Sequence, residues 1–249
     1  MSVPKYQFAF AVLVIVIVNI GAGLLSAGKT EAVPWMLVPW AVTIAMMIWC
    51  FGIIGGLASM GRLWSRPDWR GVLIDQRNRI SLSRLQLVAW SLLVISAAVS
   101  EGVINAIWGK SQPLNLNIPA ELWILLGLST ASFVAAPLVL ANKGQQLFTK
   151  ADDSQPAWRD IFYGDDNANA DQVDFSKVQQ FFFTVVLIVA YGVGIGHQLS
   201  TIAPSGDVNL QFPPLDPGFI GLMAVSQIAY ISYKALPHER TDAPPKESA

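Results

Sequence analysis

The chain has 249 residues, 53% of them hydrophobic and only 13% charged, with a formal net charge of −1. Soluble domains carry nearer a quarter charged residues, so this is the composition of an integral membrane protein. The near-zero charge argues against a nucleic-acid partner, whose binder must be basic to displace counterions, and the single cysteine, Cys50, excludes an intrachain disulfide.

Crossing a bilayer takes about 20 apolar residues in a helix, and six runs reach that length. They are Phe8 to Ala27, Pro34 to Met60, Leu85 to Trp108, Pro119 to Ala141, Val178 to Leu199 and Pro217 to Leu236. In hydrocarbon the backbone must bond to itself, so the runs are expected to be helices and the fold class all-α. The first run has a short basic start and ends in small residues, as a signal peptide does, but it is longer than a usual signal core and is read as a retained helix.

The first two spans form an N-terminal pair, residues 1–60, with Gly52 and Gly56 as a small-xxx-small packing pair. Residues 61–84 follow as a basic loop in which Arg62, Arg66, Arg70, Arg77, Arg79 and Arg84 are interleaved with Trp64 and Trp69. Within it, Gly71 to Asp75 reads as a short strand and Gln76 to Arg79 as a turn. Arginine beside tryptophan at a membrane surface suits anionic lipid headgroups or a protein partner.

Residues 85–142 form a helical hairpin, and residues 178–236 form a second one. Ser83-Arg84-Leu85-Gln86 opens the first, and Ser176-Lys177-Val178-Gln179 opens the second, 93 residues on; later, Leu126 to Ser129 falls opposite Met223 to Ser226. Self-similarity of this kind predicts a parallel duplication. The two Ser-x-x-Gln starts read as capping boxes, and Asp216-Pro217 as a capped start with proline in the first turn. Ser129, Thr130, Ser226 and Gln227 are candidate pore or packing residues. Hydroxyls in such helices ordinarily bond a carbonyl one turn back, and Ser129 and Ser226 are expected to do so.

Between the hairpins lies an acidic loop, residues 143–177. Its Asp165-x-Asn167-x-Asn169-x-Asp171 spacing resembles the start of a calcium loop, but Ala170 replaces the required glycine and Ser176 the bidentate glutamate, so no metal is expected. Trp158, Ile161, Phe162 and Tyr163 are spaced like one face of a short helix. An amphipathic piece with acidic neighbours has three candidate docking surfaces, the basic loop, the bilayer surface or another protein, and opposite charge favours the basic loop, in the same subunit or the next. Residues 237–249 are polar and proline-bearing and read as a disordered tail.

With the N-terminus inside, the inner segments hold 14 Lys and Arg and the outer loops only Lys29 and Lys110. The positive-inside rule therefore predicts cytoplasmic termini in a bacterial cytoplasmic (inner) membrane. Ionisable residues within spans mark function by default. Glu101, Glu121 and His197 sit toward the outer ends, and Lys234 sits where it can snorkel to the inner surface. No catalytic or cofactor motif occurs. The expectation is a non-enzymatic, cofactor-free scaffold, homo-oligomeric, that contacts anionic lipid and a soluble cytoplasmic protein through Arg62, Trp64, Arg66, Trp69, Arg70, Arg77, Arg79, Arg84, Trp158, Phe162 and Tyr163. The alternative is a channel or passive transporter with a hydroxyl-lined pore.

Overall fold

A computed structural model describes residues 3–59, 68–141, 147–151, 154–206 and 209–236. Arg62, Trp64 and Arg66 of the basic loop, Lys143, and the tail from residue 237 lie outside the described residues. Six α-helices make up most of the chain: α1 (Val3–Ser26), α2 (Leu37–Ser59), α3 (Leu82–Ile107), α4 (Ala120–Ala141), α5 (Phe175–Thr201) and α6 (Pro217–Ala235). The described residues contain no strand. Helices α1 to α5 are long and apolar enough to cross a membrane, the complement of an integral membrane protein. α6 has 19 residues, about 28 Å at 1.5 Å each. Ser226, Gln227 and Lys234 interrupt its apolar stretch, and it is not among the helices apolar enough over a spanning length, so the sixth span does not stand on hydropathy alone.

α3 packs against α4 and α5, and α6 packs against α4 and α5, giving a four-helix body with the α1–α2 pair laid on α3. Trp90, Leu93, Ala97, Leu122, Leu125, Leu187, Ile195 and Met223 are in its core. A small residue helps set the spacing: a Cβ on Gly196 would come within 3.0 Å of Leu37, so this glycine admits α2 close against α5, whereas one on Gly192 would make ordinary contacts with Leu93 and Trp40. On α2, a Cβ on Gly52 would make only ordinary contact with Trp69, while Gly55 is crowded. A side chain there would strike the Trp69 carbonyl and the Gly71 amide, and Gly71 would strike Gly55 in return.

The burial of the two hairpins matches closely. Lys177, Gln180, Thr184, Leu187, Tyr191, Ile195 and Leu199 are buried on α5, and Ser83, Gln86, Trp90, Leu93, Ala97, Glu101 and Asn105, each 94 residues earlier, are buried on α3. Met223, Gln227, Tyr230 and Lys234 on α6 likewise follow buried Leu125, Ser129, Ser132 and Ala136 on α4 at a constant 98 residues. Both intervals are one residue longer than the sequence match suggests.

The helix starts do not account for the extra residue, since Leu82 of α3 and Phe175 of α5 keep the 93-residue interval of the sequence match. α3 begins at Leu82 with Ser81 as its cap, so Ser83 lies inside the first turn and Gln86 points into the core. α5 is capped by Asp174, which accepts from the amides of Ser176 and Lys177. Neither Ser-x-x-Gln is a capping box: an aspartate two residues upstream outcompetes Ser176 for the free amides. The Asp216 cap is as expected, accepting from Gly218. The strand expected at Gly71 to Asp75 is instead a 3₁₀ turn, Gly71–Leu73, followed by a tight hairpin closed by an Ile74–Ile80 bridge. Asn78 takes the left-handed conformation there, at φ 59°.

Candidate functional site

The most highly organised polar structure lies at the end of the bundle that carries the basic and acidic loops. The two loops are docked on each other. Asn78, at the tip of the hairpin, donates to the carbonyls of Ala151 (3.2 Å) and Ser154 (2.7 Å). The Arg70 guanidinium is held by Asp68 and reaches the Pro156 carbonyl. Arg79 donates to the carbonyls of Gly164, Asp160 and Tyr163, and its guanidinium lies over the Phe148 ring. Beneath these contacts Leu73, Ile74, Ile80, Leu82 and Ile161 form a small core of their own. Phe162 seals it against Phe181 of α5, edge to face at 5.1 Å.

Asp165 is the centre. It is buried, and its carboxylate meets Arg77 at 2.8 Å, Arg79 at 3.8 Å, and Lys177 and Lys234 at 3.1 Å each. One residue of the acidic loop thus ties the basic loop to the feet of α5 and α6. Burial alone would raise its carboxyl, but the charges of Lys177, Lys234, Arg77 and Arg79 override that and hold it well below the usual carboxylate range. Burial opposes the charge on Arg77 as well, yet Asp165 and Asp75 together raise it further above its ordinary value. Arg79 is lowered by burial, since its approach to Asp165 is longer and its bonds go mainly to carbonyls. Lys150 pairs with Asp160 at 2.7 Å.

The sequence shows Asp165 only as the first position of a calcium-like spacing in a polar loop, and Lys234 as a residue able to snorkel. Both are buried, and Lys234 also donates to the Tyr230 hydroxyl. With four cations around it, Asp165 is not available to open a calcium loop. Of the residues expected to meet lipid or a partner, Arg70, Arg77 and Arg79 are taken up in the internal docking, and Phe162 packs under it. Tyr163 contributes its carbonyl and a backbone bridge to Val173. Arg84 lies over the Phe133 ring. Trp69 and Trp158 remain outward, 60% and 46% exposed, tilted against each other at 6.4 Å. The short helix expected around Trp158 is a 3₁₀ turn, Trp158–Ile161.

Farther into the bundle a second polar set crosses the core. Gln86 donates to Thr184 at 2.6 Å and accepts from Gln227 at 3.3 Å. Thr130 bonds back to Leu126, as a membrane threonine is expected to. Ser129 and Ser226 do not: their hydroxyls are buried without a partner among the described residues, as are Ser132 and both oxygens of Glu101. Glu101 is fully buried on α3, not at a wetted outer edge, and His197 is exposed, so these two do not form one site. The remaining loops knit together at the opposite end, where Asn105 pairs both ways with the Leu210 backbone and Trp108 donates to Ser26. No protein-family model, curated protein or solved structure matches the chain.

Proposed function

We propose that the protein is a polytopic membrane scaffold, with six spans and cytoplasmic termini, that presents a preassembled platform to a soluble partner. The observation carrying this reading is the Asp165 cluster, which locks two loops and two helix feet into one body. A surface fixed in advance loses less conformational freedom when it binds than a floppy one does. Trp69 and Trp158 stand exposed at its edge, and tryptophan is favoured at binding hot spots. The positive-inside bias supports an inward-facing platform and α6 as the sixth span; a bacterial inner membrane is part of the same reading. The matched burial of α3 with α5 and of α4 with α6 supports a doubled hairpin in a register one residue from that of the Ser-x-x-Gln pair. Homo-oligomer formation through the apolar outer faces belongs to the same reading, which assigns the chain no reaction.

The test is purification of the full chain and of a Trp69→Ser, Trp158→Ser variant from native membranes under matched conditions. A partner held by the first and lost by the second, with insertion unchanged, is expected. Equal retention by both would remove the platform from the account.

A passive channel is the second reading, favoured by Glu101, Ser129, Ser132 and Ser226 being buried without partners in the bundle. Solute flux through reconstituted protein, reduced by Ser129→Leu or Ser226→Leu, is the result it requires.

A further inference from the structure

A cavity of about 200 Å³ opens beside the platform, between the start of α3 and the end of α4. One wall is polar and cationic, built from Arg77, Ser81, Ser83, Arg84 and Lys234; the other is apolar, from Phe133 and Pro137 among others. The charges lining it are Arg77, Arg84, Lys234 and Asp75; Arg77 and Lys234 also meet Asp165 behind the wall, but that single carboxylate is shared by four cations and leaves the wall cationic. At about 30 Å³ per water, the space takes a group of six or seven heavy atoms. Cations and hydroxyls on one side with hydrocarbon on the other suit a phosphate that arrives attached to an apolar chain.

A second, larger hollow continues the same seam. Its volume is about 770 Å³, and its lining is almost wholly apolar, including Ile95, Ala98, Gly102, Trp123 and Leu126. Position 84 of the cavity and positions 91, 95, 98 and 102 of the groove recur at steps of 7, 4, 3 and 4, which is one face of α3. Positions 126, 133 and 137 do the same on α4. Seven residues of helix separate Arg84 from Ser91, about 10 Å. An acyl chain reaching through half of a roughly 30 Å hydrocarbon core covers that distance and enters the groove.

We propose that the α3–α4 seam binds an anionic phospholipid, its phosphate seated among Arg77, Arg84 and Lys234 and one acyl chain laid along α3 toward Ala98. The inference is independent of the scaffold reading, because it needs only that the cavity lie at headgroup depth, and it survives if no soluble partner exists.

The experiment uses full-length protein, delipidated in neutral detergent. Thermal stability and native mass spectrometry are followed on adding phosphatidylglycerol, phosphatidylcholine or inorganic phosphate. Phosphatidylglycerol is expected to bind with defined stoichiometry and to raise the melting temperature, while the other two do neither. Arg84→Gln is expected to weaken that binding about tenfold, the loss of one charge-assisted contact, and Ala98→Trp to weaken it by filling the groove. Equal binding of phosphatidylcholine would reduce the site to ordinary annular lipid and overturn the proposal. Equal stabilisation by inorganic phosphate would make the site one for a free anion and overturn its lipid half. If Arg84→Gln fails to fold, the headgroup preference of the unaltered chain and the Ala98→Trp variant still decide the matter.

Discussion

Asp165 shows how one side chain can join parts of a chain that lie far apart. Four cations share its carboxylate, two of them from helix ends. Removing one partner from a buried ion cluster leaves the others uncompensated, which costs on the order of 3 kcal/mol or more. Asp165→Asn is therefore expected to lower the thermal midpoint of the detergent-solubilised protein by several degrees, whereas Asp171→Asn, on the exposed turn of the same loop, leaves it unchanged. The same group sets a pH dependence. Because the folded carboxyl is held well below its ordinary value, its contribution is complete above about pH 4, the unfolded range. It is lost only as pH falls further, toward the folded value. Between pH 8 and 5 this group contributes no slope, and Asp165→Asn is expected to flatten the acid-side loss seen in unfolding curves below pH 4. None of this was legible from the sequence, where Asp165 is one of seven aspartates in a polar loop. Local spacing does not reveal which carboxylate meets Lys234, 69 residues away. The burial of Glu101 was hidden for a related reason. Its distance from the helix end was readable, but the helix face it occupies depends on where α5 packs.

The individual helices were far more legible. Long apolar runs have only one way to satisfy their backbone in hydrocarbon, and the ends of α2, α4 and α6 fall within a residue or two of the expected spans. The starts were harder. Asp174 and Ser176 are both competent caps; Asp174 takes the free amides, and Gln180 rather than Gln179 is the buried glutamine of α5. α6 lacks a long unbroken apolar stretch because its buried face carries Gln227 and Lys234, which serve the core network and the Asp165 cluster. Backbone crowding gives a prediction at this scale. Gly55 and Gly71 meet with no room for a Cβ between them, so Gly71→Ala must push the 3₁₀ turn away from α2, at about 1–3 kcal/mol by analogy with overpacked cores. Gly127→Ala meets nothing within 4 Å and is expected to be neutral or slightly stabilising. Paired melting curves of the two variants, read in the same detergent, check both.

At the scale of the whole molecule, helices α3 to α6 and the two loops form one connected object. The bundle positions Lys177 and Lys234, and the loops supply the anion that neutralises them. The loop pairing had been an expectation from opposite charge alone, and it is realised within a single chain through Arg77, Asn78 and Arg79. That is why Arg70 and Arg79, first read as lipid or partner contacts, turn inward instead, while Trp69 and Trp158 stay outside. Long-range charge complementarity was visible in the sequence, but its address was not.

The platform is the claim on which the functional reading rests, and its closure is directly measurable. In a Cys50→Ser background, Asn78→Cys and Ser154→Cys place two thiols where Asn78 now reaches the Ser154 carbonyl at 2.7 Å. A short bismaleimide added to native membranes should join them within one chain in high yield, and Asp165→Asn should reduce that yield. Failure to cross-link, or equal cross-linking with Asp165 removed, would contradict a platform held shut by that carboxylate.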